Sequence, residues 1–219
     1  MLVCDPFLKG LNLKNLKGII FDCDGVLFDS RDVNIRFYNE VRSCFDLPPM
    51  SPEQEEYVHT HSVQDSFSFI LPRGYEAQFP MIRDKLDYSR FLPYMRMEEG
   101  VVELMQFLTD KPVKTAINTN RTTTMNLLLT TFDLEHFFQP VVTAADVSRP
   151  KPHPESLFKI LDHWSLSPEE VVFIGDSSVD QDTALGAQTP FWAYKNKNLQ
   201  AQMLIPDFRV LREFLMRNL

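Results

Sequence analysis

Four groups of polar residues in this 219-residue chain have types and spacings that suit chemistry. Asp22 and Asp24 flank Cys23 at the end of the apolar run "GIIF", and Asp29 follows shortly after. Asp176 and Asp180 close a second apolar run in "FIGDSSVD". Thr119, Asn120 and Arg121 come directly after "KTAIN", and Lys151 lies in "SRPKPHPE". Carboxylates this close repel each other and lose hydration if the preceding run is a buried strand. A cation, a reaction or a calcium loop has to account for them. An EF-hand loop needs oxygen ligands at its fifth and twelfth positions and glycine at its sixth. Counted from Asp22 these are Val26, Val33 and Leu27, which excludes that loop.

Taken together, Asp22, Asp24, Asp176 and Asp180 concentrate negative charge that calls for a counter-ion. Hard carboxylate oxygens suit Mg²⁺, and no His/Cys set suggests zinc. Lys151 adds a fixed cation, and the Thr119 hydroxyl and nearby backbone amides add donors. Carboxylates, Mg²⁺, one lysine and a hydroxyl make a cradle for a phosphoryl group. An aspartate in such a cradle can also act as nucleophile, forming an aspartyl-phosphate.

These groups need elements that bring them together. Short β-rich runs alternate with helical patterns: "GIIF", "KTAIN", "PVVTA", "VVFIG" and "PFWAY" read as strands. Between them, "GVVELMQFLTD" places Val101, Leu104, Met105 and Leu108 on one helical face, and "PESLFKILDHW" does the same for Leu157, Leu161 and Trp164. "TTTMNLLLTTF" reads as a helix with its early threonines available to cap it, and "SPEE" as a short capped turn. A small-residue helix runs around Ala184 and Ala187. The amphipathic "DFRVLREFLMRN" closes the chain, started by Asp207. The alternation predicts an α/β fold with a Rossmann-like parallel sheet. In such a sheet the carboxyl ends of the strands line one crevice, so clusters distant in sequence converge there.

The interval from about Arg31 to Met97 breaks the rhythm with long helical patterns, punctuated by Pro48, Pro49, Pro72, Pro80 and Pro93. The expected organisation is a catalytic core of residues 1–30 and 97–219, with residues 31–96 inserted as a mainly helical cap domain.

The formal net charge of −8 disfavours broad binding to nucleic acid. No apolar run approaches the length that spans a bilayer, and the first residues, interrupted by Asp5, Pro6 and lysines, do not read as a secretory signal. Cys4, Cys23 and Cys44 form no CxxC pair, and their odd number fits a disulfide framework poorly, so a reducing cytoplasm is the expected location. Cys23 reads as a small core filler.

The four groups resemble the motifs of the haloacid dehalogenase superfamily, in its branch of phosphoglycolate phosphatases and β-phosphoglucomutases. "DCDGVLFDS" is similar to the first motif, DxDG(T/V)L. "NTN" is similar to the second through Thr119, "KPHPE" to the third through Lys151, and "GDSSVD" to the fourth, GDxxxD. Asn118, where the family usually has an apolar residue, and "MEEG", in place of a Pro-Gly helix start, depart from the pattern.

What the resemblance implies is a two-step reaction. Asp22 would attack phosphorus, and Asp24 would protonate the leaving oxygen and later activate water. Thr119 and Lys151 would hold the phosphoryl oxygens, with Asn120 beside them. Asp22, the Asp24 carbonyl and Asp176 would bind Mg²⁺, and Asp180 would orient that shell and Lys151. The cap would reach the substrate through the stretch His59 to Phe67, with His61, Ser62 and Gln64 against the leaving group. Asp29 and Ser30 would lie at the hinge. Arg121 and Arg149 are expected on the solvated surface, and His153 in a structural role.

The expected partner is a small-molecule phosphoester, acting with a monomer or homodimer. The leading expectation is thus a phosphatase. A phosphomutase passes the group to a second sugar position instead, and a non-catalytic protein would only sense a phospho-metabolite. A dehalogenase would have no use for Asp24, since a halide leaves without a proton.

Overall fold

The computed structural model describes residues 1–7, 13–60, 63–75, 78, 81–82 and 86–219, without the side chains of residues 59, 60 and 64. The chain divides into two compact units, one formed by Met1–Phe28 with Met97–Leu219 and the other by Asp29–Arg96.

Nine short strands lie among the described residues, β1 (Leu2–Val3), β2 (Gly18–Phe21), β3 (Phe28–Asp29), β4 (Arg96–Met97), β5 (Lys114–Asn118), β6 (Val141–Val142), β7 (Val171–Gly175), β8 (Phe191–Tyr194) and β9 (Met203–Ile205). β3 and β4, whose second and first residues belong to the other unit, pair with each other. The other seven form one sheet in the order β1-β9-β8-β7-β2-β5-β6, with parallel neighbours throughout.

β2 and β7 are buried along their whole length. That is why both read as continuous apolar runs rather than as alternating ones. Ile20 of β2 stands in register with Ala116 of β5 on one side and Phe173 of β7 on the other. The strand order therefore reverses at β2, and the carboxyl ends of β2, β5 and β7 open on one crevice.

The helices hold this sheet by their apolar stripes. Val101–Thr109 buries Val101, Leu104, Met105 and Leu108. Glu155–Trp164 buries Leu157, Ile160, Leu161 and Trp164 in the cluster that contains Ile20, Ala116 and Phe173. Each such side chain contributes about 1.5–3 kcal/mol on leaving water. The closing helix, Phe208–Asn218, starts where the Asp207 carboxylate accepts the Val210 N–H at 2.8 Å. In the turn Pro168–Glu170 the Glu170 carboxylate accepts from both the N–H and the hydroxyl of Ser167.

The parallel α/β sheet agrees with the sequence expectation. The strands β1, β3, β4 and β9 were not legible in it, since two or three residues are too few to show a period. The helix Met125–Thr131 also starts differently from expectation. Thr124 at its N-cap makes no capping bond with its side chain.

The second unit is helical, with Arg31–Ser43, Pro52–Thr60, Val63–Ile70 and a 3-10 segment, Tyr88–Tyr94. Tyr38, Val41, Val58, Phe67, Ile70 and Leu71 form its core. The buried Arg42 is satisfied by backbone carbonyls, donating to Pro48 at 2.7 Å and to Ile70. Residues 63–67 of the stretch expected to reach the substrate belong to the helix Val63–Ile70. Its spacing explains this: Phe67 and Ile70 fall on one face and are both buried. His61 and Ser62 lie outside the described residues, as does the side chain of Gln64. Asp29 is exposed and accepts the Arg31 N–H at 3.2 Å, while Ser30 is the N-cap of Arg31–Ser43 and makes no capping bond with its side chain.

Candidate active site

β2 ends at Phe21, and the next residue, Asp22, emerges at the crevice still tied to the sheet, its N–H donating to the Ile174 carbonyl at 2.9 Å. Cys23 turns fully into the core, where burial and then the Asp24 charge raise its thiol pKa well above the ordinary value. It is a filler, as its position on the strand predicts. Gly25 then turns the chain at φ +77°, and a Cβ there would lie 2.1 Å from Asp176 Oδ2. Glycine is required twice over, for the backbone conformation and for the approach of Asp176.

β7 delivers the opposite wall. The helix Ser178–Gly186 begins with a reciprocal cap in which the Ser177 hydroxyl donates to Asp180 Oδ2 at 2.6 Å. The Ser177 N–H donates to the same oxygen at 3.2 Å. This leaves Asp180 Oδ1 for Lys151 Nζ, at 2.6 Å. Asp180 is thus a helix cap and a site residue at once. Its closeness needs Gly175, where a Cβ would stand 2.3 Å from the Asp180 Cβ. Asp176 is braced from behind by Asn196, whose Nδ2 donates to the Asp176 carbonyl at 2.8 Å.

Lys151 is the cation of the cluster. Its buried ammonium donates to Asp22 Oδ1 at 2.8 Å, Asp180 Oδ1 at 2.6 Å and the Asn118 carbonyl at 3.2 Å. Burial alone would depress its pKa, but Asp180 and Asp22 outweigh burial and push it above the ordinary value. It stays charged. Its backbone is held by Asn120, whose Nδ2 donates to the Lys151 carbonyl and whose Oδ1 accepts the Lys151 N–H, both at 3.0 Å. Asn120, which the resemblance places beside the phosphoryl group, thus also braces the Lys151 loop through both ends of its side-chain amide.

Thr119 follows β5 directly and is buried, with its N–H bonded to the Val142 carbonyl at 3.0 Å. Its hydroxyl oxygen accepts the Arg121 N–H at 3.1 Å, which leaves its proton to be donated elsewhere. Arg121 overturns the expectation of a solvated residue. Its side chain is only 8% exposed, and Nε and Nη2 grip Asp24 Oδ2 and Oδ1 at 2.7 and 2.6 Å. Nothing in the spacing of "NTNR" announces a partner so far away along the chain. Arg149 is exposed beside Glu155, and His153 Nδ1 accepts the Glu155 N–H at 3.2 Å.

One carboxylate oxygen from each of Asp22, Asp176 and Asp180 lies within 4.8 Å of the others. Three carboxylates against one ammonium leave an excess of negative charge. Burial raises the pKa of Asp22 well above the ordinary value, Asp180 adding to it, and burial followed by Asp180 pushes Asp176 up to about 7. A hard divalent cation relieves that excess, and the all-oxygen donor set fits magnesium. Of the three, Asp180 already has both oxygens bonded, to Lys151 and Ser177. Asp22 and Asp176 are the better placed to hold an ion.

A buried Asp22–Lys151–Asp180 cluster at the switch point of an open parallel α/β sheet sets a fixed cation among carboxylates where such sheets bind ligands. The chain belongs to the haloacid dehalogenase-like hydrolase family, whose pattern matches residues 19–194. It is 29% identical over 206 residues to the pyrophosphatase PpaX of Bacillus pumilus, covering 90% of this chain and 93% of that one. It is 27% identical over 185 residues to a phosphorylated carbohydrates phosphatase of Thermotoga maritima, covering 78% and 82%. A solved structure of a HAD-superfamily hydrolase, subfamily IA, from Geobacter sulfurreducens superposes with a TM-score of 0.76 at 36% identity. That match covers 92% of this chain and 97% of the other.

Among the described residues, no helix is long and apolar enough to cross a membrane.

Proposed function

We propose that this protein is a Mg²⁺-dependent phosphatase that hydrolyses a small phosphorylated metabolite through an aspartyl-phosphate on Asp22. The observation that carries the proposal is the Lys151 ammonium set between Asp22 and Asp180 at the carboxyl end of the central strand. Relatives named for pyrophosphate and for phosphorylated carbohydrates support a small phosphorylated substrate.

In the first step Asp22 Oδ2, the oxygen not bonded to Lys151, attacks phosphorus. The bond to the leaving oxygen breaks, and Asp24 supplies the proton that oxygen needs. In the second step water attacks the phosphorus of the acyl-phosphate, Asp24 takes its proton, and Asp22 and inorganic phosphate are released. Lys151 and the Thr119 hydroxyl hold the transferring oxygens, where fixed donors are worth most. Asp22 and Asp176, with the Asp24 backbone carbonyl, would hold Mg²⁺, and Asp180 keeps Lys151 and the helix start in place. When bound, the ion neutralises charge on the nucleophile and the phosphoryl group. The helical unit Asp29–Arg96 is the cap in this reading and chooses the leaving group.

The test is a phosphate-release screen over small phosphoesters, pyrophosphate included, with Mg²⁺. Asp22→Asn is expected to lose at least about a thousandfold in turnover, as for other nucleophile deletions. EDTA is expected to abolish activity and Mg²⁺ to restore it. Equal turnover by wild type and Asp22→Asn would refute the nucleophile, and metal-independent turnover would refute the ion.

A further inference from the structure

Arg121 makes bonds to both parts of the site that the two-step reaction needs. Its guanidinium holds both oxygens of Asp24, and Nη1 donates to the Thr124 hydroxyl at 3.2 Å. Its backbone N–H holds the Thr119 hydroxyl oxygen, and its carbonyl accepts the Ala144 N–H at 2.9 Å. The residue is therefore fixed at its guanidinium and through both its backbone N–H and its carbonyl. Asp24 itself follows the turn-prone end of β2 and has a side chain 31% exposed. A partly exposed aspartate has several rotamers within reach, and a planar fork that meets both oxygens selects one. Each carboxyl oxygen has two lone-pair sites, so a fork that takes one on each oxygen fixes the direction of the other, where the proton given to the leaving oxygen and later taken from water would be carried.

We infer that Arg121 is a positioning residue that sets the orientation of Asp24 for proton transfer to the leaving oxygen, while its peptide N–H aims the Thr119 hydroxyl at the phosphoryl group. This rests on the two-step reaction proposed above. Arg121 acts through Asp24, because all three of its guanidinium nitrogens already donate to Asp24 or Thr124. Lysine offers a point charge without the fork, so it does not replace arginine here.

The inference separates substrates by their leaving group. A nitrophenolate leaves without a proton, whereas an alkoxide needs one. The parameter kcat/KM reports the steps up to the first irreversible one, which is loss of the leaving group. Arg121→Met is expected to lower kcat/KM about 100-fold for an alkyl phosphate turned over by the wild type, and less than about 5-fold for p-nitrophenyl phosphate. Arg121→Lys is expected to show the same split, and it is read alone if the methionine variant fails to fold by circular dichroism. In an Asp24→Asn background, Arg121→Met is expected to change alkyl-phosphate turnover by less than about 2-fold, since the group it positions is already gone.

An equal loss on both substrate classes, no loss on either, or a full further loss in the Asp24→Asn background would overturn the inference. Those results would leave the phosphatase reading standing, provided the wild type is active and Asp22→Asn is not. A wild type inactive on every phosphoester would remove both.

Discussion

Lys151 Nζ lies 2.8 Å from Asp22 Oδ1 across 129 positions of the chain, with both side chains buried. The pair sits among Asp176 and Asp180, so a single ammonium serves more carboxylates than it can neutralise. Such a centre costs folding energy, and its constituents are tied to one another's presence.

Removing the ammonium should therefore be expensive. Lys151→Met is expected to destabilise the fold by about 3–5 kcal/mol, the range for stranding a buried charge. Urea unfolding at neutral pH measures it. A loss below about 1 kcal/mol would show that Asp22 and Asp180 do not depend on Lys151, against the geometry.

Gly25 is held to glycine by its backbone and by Asp176. Gly25→Ala places a Cβ in a left-handed conformation and against Asp176 Oδ2. The strain amounts to about 1–3 kcal/mol, and displacement of Asp176 should weaken Mg²⁺ binding in isothermal titration calorimetry. Unchanged affinity would remove Asp176 from the set that holds the ion.

Asn118 is fully buried in β5, and among the described residues neither end of its side-chain amide has a hydrogen-bond partner. An unsatisfied buried polar group costs about 1–3 kcal/mol. Asn118→Val should therefore raise stability by an amount in that range, read as a higher denaturant midpoint with unchanged slope. Its backbone carbonyl, which Lys151 uses, is retained. A destabilised variant would mean that the amide is satisfied by water in solution.

Glu170 makes stability depend on pH at the acid end. Bonds from Lys17 and from the Ser167 N–H and hydroxyl hold its carboxyl at about 2, against an ordinary 4.5. A pKa lowered by folding means that the stabilising contribution is complete above about pH 4.5 and is lost as pH falls through about 2. The difference in melting temperature between wild type and Glu170→Gln should therefore narrow across that window. Lys17, the ionic partner of Glu170, is more than half exposed, so the gap should also shrink in high salt. A gap independent of pH would contradict this.

Much of the site was legible because its motifs are short and local. "DCDG", "GDSSVD" and the burial of β2 and β7 follow from runs of a few residues whose periods and side-chain chemistry need no distant information. The order of strands and helices likewise announced a parallel sheet, and a parallel sheet brings its carboxyl ends to one crevice. That much belongs to the sequence alone.

What the tertiary structure decided is which polar group meets which. Arg121 finds Asp24 across 97 positions, and Asn120 meets the backbone of Lys151 across 31. Asp180 divides its two oxygens between a helix cap and a lysine. Residues 63–67 enter a helix because Phe67 and Ile70 bury together in a core of their own unit. A charged side chain in a sequence carries its reach and its donors but no address. Its partner is fixed by the fold, where burial makes every unpaired charge costly and so forces the choice.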